Sequence, residues 1–270
     1  MSSNLPIGVF DSGVGGLTVA KEIMSQLPGE SILYFGDTAR VPYGNKSKDT
    51  VIKYSRQIAS FLTENGVKAI VIACNTASAF ALDTLASEVS VPVIGVVHPG
   101  ARTAARVTKN GRVGVIGTEG TIRSGLYGAY IRERRPDVMV YGKACPLFVP
   151  LVEEGLCDDA VTEVMAKRYL EPLLAESVDT IVLGCTHYPL LRDVIGRIAG
   201  ESVTLVNPAY ETARELRELL QDDGLLADGS AAVEHRFYVS DGAEQFRAFA
   251  NSILPCEMIE TDAVSVKVFA

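Results

Sequence analysis

Two segments of this chain share one pattern, and that pattern narrows the fold more than any other feature. Ala69-Ile-Val-Ile-Ala-Cys-Asn-Thr-Ala-Ser78 and Thr180-Ile-Val-Leu-Gly-Cys-Thr-His-Tyr-Pro189 are short apolar runs ending in a cysteine, a polar cap-type residue and a helical pattern. A continuous β-branched run without alternation reads as a strand buried on both faces, as in a parallel sheet. Asn75, Thr76 and Thr186 are residues of the N-cap type, and Pro189 suits the first turn of a helix. Cys74 and Cys185 are therefore expected at the carboxyl ends of two strands, just before helix N-termini. Ligands of open α/β sheets bind there, and the positive end of a helix is expected to lower a thiol's pKa.

The rest of the chain fits this frame and repeats it. Strands are expected at 5–10, 31–35, 91–96, 112–116, 138–141, 203–206 and 236–239, with a last one near Met258. Helices are expected at 17–27, from a Ser47 cap to about Glu64, and at 122–134, 158–175, 210–220 and 243–253. The strand ending at Val96 leads to His98-Pro-Gly100, Thr118–Thr121 reads as a turn, and 146–155 as an apolar loop or short helix carrying Glu153 and Glu154. Cys185 follows Cys74 by 111 residues, and the strand-turn-helix units before them are about as far apart. Strands alternating with helices imply mainly parallel sheets. The fold class is therefore α/β, with two similar domains related by pseudo-two-fold symmetry and the site in the cleft between them.

Phe10-Asp-Ser-Gly-Val-Gly-Gly16 partly matches a dinucleotide fingerprint, through Gly13, Gly15 and an acid, Asp37, closing the second strand. Thr18 stands where the third glycine belongs. A turn whose N–H groups hold a small carboxylate, with Asp11 and Ser12 facing the cleft, is the stronger reading. No phosphate-binding loop, no C-x-x-C and no H-E-x-x-H motif occurs, so no cofactor or metal is expected. The 33 acidic and 25 basic residues leave a net charge of −8, which argues against general nucleic-acid binding. No apolar run approaches the roughly 18 residues of a membrane span, and the N-terminus does not read as a signal peptide. Five scattered cysteines read as reduced thiols in a cytoplasmic protein. Cys145, Cys157 and Cys256 read as inert core residues. A Cys–His nucleophile at Cys185 and His187 stays open, although it leaves the second thiol without a use.

Two thiols on opposite sides of a cleft suit one reaction class. One thiolate removes a proton from a stereogenic carbon, and the other thiol delivers a proton to the opposite face. A non-catalytic amino-acid-binding module would keep the cleft but has no use for paired thiols.

Through Phe10-Asp-Ser-Gly-Val-Gly-Gly16, Pro42-Tyr-Gly44, Ala73-Cys-Asn-Thr76, Pro150-Leu-Val-Glu153 and Gly184-Cys-Thr-His187, the chain resembles the glutamate racemases of the aspartate/glutamate racemase superfamily. The resemblance spans essentially the whole chain. It implies cofactor-independent interconversion of L- and D-glutamate, supplying D-glutamate for peptidoglycan. It implies Cys74 and Cys185 as the acid/base pair, supported by Asp11, Glu153 and His187. Asp11, Ser12, Tyr43, Gly44, Asn75, Thr76, Thr186 and His187 would contact substrate. It further implies a homodimer, and domains of residues 1–98 plus 207–270 and of residues 99–206. Many members carry Glu-Pro-Gly where this chain has His98-Pro-Gly100. Aspartate racemase is the alternative, differing in the length of the substrate side chain.

Overall fold

The computed structural model describes residues 3–255 and the backbone of residues 262–263. Cys256, and the strand expected near Met258, lie outside the described residues. The chain opens with β1 (Ile7–Asp11), α1 (Leu17–Gln26), β2 (Ile32–Gly36), α2 (Lys48–Glu64), β3 (Ala69–Ile72), α3 (Asn75–Glu88) and β4 (Val93–Gly95). Every residue of β1, β2 and β3 is buried, which is what a run with two covered faces requires. Ser47 does cap α2, its hydroxyl accepting the Thr50 N–H at 3.3 Å.

The next element had no counterpart in the sequence reading. His98-Pro-Gly100 forms the first turn of α4 (Val97–Val107). Pro99 is tolerated there because the first helical turn has no N–H to lose to proline. Gly100 is there because the chain leaves no room, a Cβ at that position coming 3.0 Å from Pro208.

Then follow β5 (Arg112–Gly117), α5 (Glu119–Ser124), α6 (Leu126–Arg134), β6 (Met139–Ala144), α7 (Phe148–Glu153), α8 (Ala160–Ala175), β7 (Thr180–Gly184), α9 (Arg192–Ala199) and β8 (Thr204–Val206). The single helix expected over 122–134 is two helices, because Gly125 takes φ +68° between them. The chain finishes with α10 (Pro208–Asp222), β9 (His235–Val239), α11 (Ala243–Ile253) and β10 (Asp262–Ala263).

Two sheets result, ordered β10-β9-β2-β1-β3-β4 and β6-β5-β7-β8, with every described strand pair parallel. The stretch β2-β1-β3-β4 is wired like the whole second sheet, and β3 and β7, which carry the two cysteines, occupy equivalent places. Helix α4 leaves the first sheet but packs its Val97, Ala101 and Ala104 into the core of the second. Helix α10 returns the favour, placing Ala213, Leu216 and Leu220 in the core of the first. These two connecting helices meet through Glu215, which pairs with His98 at 3.3 Å and Arg102 at 2.9 Å. His98 thus belongs to the junction between the lobes.

Candidate active site

Asn75 and Thr76 were expected to cap the helix after the first cysteine strand. Instead Cys74 is the cap: its backbone is extended and its sulfur accepts the Ala77 N–H at 3.4 Å. Asn75 and Thr76 become the first helical residues, and their side chains are free to reach the second lobe. Asn75 Oδ1 accepts the Tyr127 hydroxyl at 2.6 Å, and Thr76 Oγ1 lies 2.8 Å from Thr118 Oγ1. Tyr43-Gly44 forms a 3-10 turn against the same place, where a Cβ on Gly44 would come 2.7 Å from Thr118. The Tyr43 hydroxyl is committed to Asp37, leaving its backbone for any ligand.

Across the cleft, Cys185, Thr186 and His187 follow β7, and a 3-10 turn of Tyr188–Leu191 containing Pro189 precedes α9. Thr186 is no helix cap either. Its carbonyl accepts the Thr18 hydroxyl at 2.9 Å, and its own hydroxyl donates to Asp11 at 3.4 Å. His187 Nδ1 stands 3.8 Å from the Cys185 sulfur, while its Nε2 is 2.9 Å from Glu153 Oε1. The apolar segment that made Glu153 conspicuous is α7, and it aims the carboxylate at the imidazole.

Asp11 ends β1 with no exposure at all. In the turn after it, Gly13 N–H donates to Asp11 itself, at 2.9 Å, and Gly16 N–H does likewise. Asp37, the ribose candidate, is consumed by Tyr43, Arg40 and Ser240. Gly13 and Asp37, on which the dinucleotide reading rested, are thus both engaged within the protein.

Burial dominates the electrostatics. It pushes the Cys74 thiol up to about 12, with the Asp11 charge adding to the rise and the Ala77 N–H and Ser12 opposing it. The helix N-terminus was expected to lower this thiol; desolvation outweighs it. Cys185 also raises Cys74, so the two sulfurs are near enough to sense each other. Burial works against charge on His187, yet hydrogen bonds to Cys185 and Glu153 lift it to about 10. The site thus pairs one thiol held by N–H and hydroxyl donors with another beside a proton-bearing imidazole. Among the described residues no group of three His, Cys, Asp or Glu side chains could hold a metal, and no helix is long and apolar enough to cross a membrane.

Residues 7–216 match the model of the Asp/Glu/Hydantoin racemase family. The chain belongs to that family. This racemase is 54% identical to a glutamate racemase of Geobacter metallireducens over 97% of each chain. Its fold resembles a glutamate racemase isoform from Bacillus anthracis, with a TM-score of 0.94, 46% identity and 98% of both chains covered. It also resembles the Francisella tularensis glutamate racemase solved in complex with D-glutamate, with a TM-score of 0.92, 41% identity, and 98% and 99% covered. It is an amino-acid racemase, an isomerase.

Sequence reading passed over several residues of this racemase that build the site. Thr18 looked like a failed glycine but binds the Cys185 loop; Thr118 and Thr121 looked like a plain turn but face Thr76. The repeat held a clue to the threonines, since their turn follows β5 as the Asp11 turn follows β1. Tyr127 left no such signal.

Proposed function

We propose that this racemase interconverts L- and D-glutamate without a cofactor, Cys74 and Cys185 serving opposite faces of the α-carbon. The observation that carries the reading is a matched pair of buried thiols, at the ends of equivalent strands and near enough to interact electrostatically. In one direction a thiolate takes the α-proton while the opposite thiol gives up its own, leaving the pair in mirrored protonation for the return. Exclusion of water makes Cys74 a strong base once ionised, and a protonated His187 can support negative charge at Cys185. Asp11, Glu153 and His187 are the supporting polar groups. Ser12, Tyr43, Gly44, Asn75, Thr76 and Thr186 hold the substrate with Asp11 and His187. Residues 1–98 plus 207–270 form one domain and 99–206 the other. The enzyme works as a cytoplasmic homodimer, and its product feeds peptidoglycan synthesis.

The test is turnover of L-glutamate in deuterated water, read by mass spectrometry at low conversion. The opposite thiol equilibrates with solvent, so early D-glutamate is almost fully deuterated while recovered L-glutamate stays protiated. D-glutamate as starting material behaves the same way. Substantial protium in early product shows one group serving both faces and overturns the two-thiol mechanism. Comparable kcat/KM on aspartate overturns the choice of substrate.

A further inference from the structure

We propose that Tyr127 is a positioning residue for substrate binding, fixing the orientation of the Asn75 carboxamide. The proposal rests on the reading of Asn75 as a substrate contact and adds what sets it. Tyr127 stands in the first turn of α6, just past the left-handed Gly125, and is only 3% exposed. Its hydroxyl donates to Asn75 Oδ1 at 2.6 Å, bridging from the second lobe to the residue after Cys74. Burial, and secondarily Cys185, push the phenol well up, so it keeps its proton and stays a donor. Donation to the carbonyl end of the amide turns Nδ2 away from the phenol. The Asn75 Nδ2 group is left without a hydrogen-bond partner among the described residues.

The ring is held as firmly as the hydroxyl. A Cβ on Gly100 would come 3.2 Å from one edge of it, and a Cβ on Gly184 would come 3.2 Å from the other. Gly184 immediately precedes Cys185, and Gly100 lies in α4 against Pro208 at the start of α10. One side chain therefore lies against the Cys185 strand, α4 and the neighbour of Cys74. An Asn75 contact to a bound amino acid persists in the transition state, so losing its alignment weakens ground and transition states alike.

The experiment is a double-mutant cycle of Tyr127→Phe and Asn75→Ala. Tyr127→Phe keeps the ring between the two glycines. KM for both enantiomers should rise about tenfold, about 1.4 kcal/mol, with kcat within about twofold of wild type. In the Asn75→Ala background the same change should leave KM where it was. An unchanged KM in the native background overturns the proposal, as does an equal rise in both backgrounds. A fall in Tm and kcat with KM unmoved assigns the tyrosine to packing alone, which also overturns it. Absence of racemisation by the wild-type enzyme counts against the functional reading and leaves a ligand-independent test of Tyr127. The Asn75 side-chain amide gives one NMR resonance pair in the wild type, which should shift or broaden in Tyr127→Phe. An unmoved pair overturns the positioning role whatever the substrate.

Discussion

Gly15→Ala tests how closely the Asp11 turn and the Cys185 loop must approach. The glycine does not have positive φ, so alanine meets no backbone strain and the substitution probes space alone. A Cβ there would lie 2.4 Å from Thr186 Oγ1 and 2.5 Å from His187 Nδ1. Ordinary contact begins near 3.4 Å, so the loop must retreat by about 1 Å. Both struck residues adjoin or nearly adjoin Cys185, and a 1 Å misplacement of reacting groups costs about 100-fold in rate. That corresponds to about 2.7 kcal/mol of transition-state stabilisation. Overpacking itself costs about 1–3 kcal/mol of stability, seen as a Tm lower by several degrees. The assay is circular dichroism of each glutamate enantiomer, with Gly29→Ala as control because nothing lies within 4 Å of a Cβ there. The control should match wild type in rate and Tm. A Gly15→Ala enzyme within threefold of wild-type kcat/KM would refute the argument that close approach sets the thiol.

The remaining expectations concern the thiols and pH. Cys74→Ala and Cys185→Ala should each abolish racemisation in both directions; near-normal turnover by either defeats the two-base scheme. Cys145→Ala, at a fully buried thiol, should keep the racemisation rate and lose about 1–3 kcal/mol of stability by denaturant titration. His187 holds its proton to about 10, above its ordinary 6.5. The folded value is the higher one, so its stabilisation is complete below about 6.5 and disappears as pH climbs through about 10. Tm should therefore decline across that window. In Glu153→Gln the decline should end at lower pH and be smaller in all, and superimposable curves for the two proteins would sink the Glu153–His187 linkage.

What could be read before folding was what local chemistry sets. The strand-helix alternation, the Ser47 cap and the two cysteines closing buried strands all depend on neighbours within a few residues. Glu153 was visible for a related reason, a carboxylate on a segment otherwise suited to the interior. Contacts between residues distant in the chain were not legible, because no local preference encodes them. Thr18 meets Thr186 across 168 residues and Tyr127 meets Asn75 across 52, and each looks unremarkable in its own helix. Helix α4 was hidden because Pro99 and Gly100 are locally turn-like, while the contacts that make Gly100 useful come from Pro208 and Tyr127. The state of Cys74 was misjudged on the same ground. A helix end acts on a thiol from one side and can be read locally. Desolvation comes from every element that closes over the cleft, so the sign of the shift awaited the assembled fold.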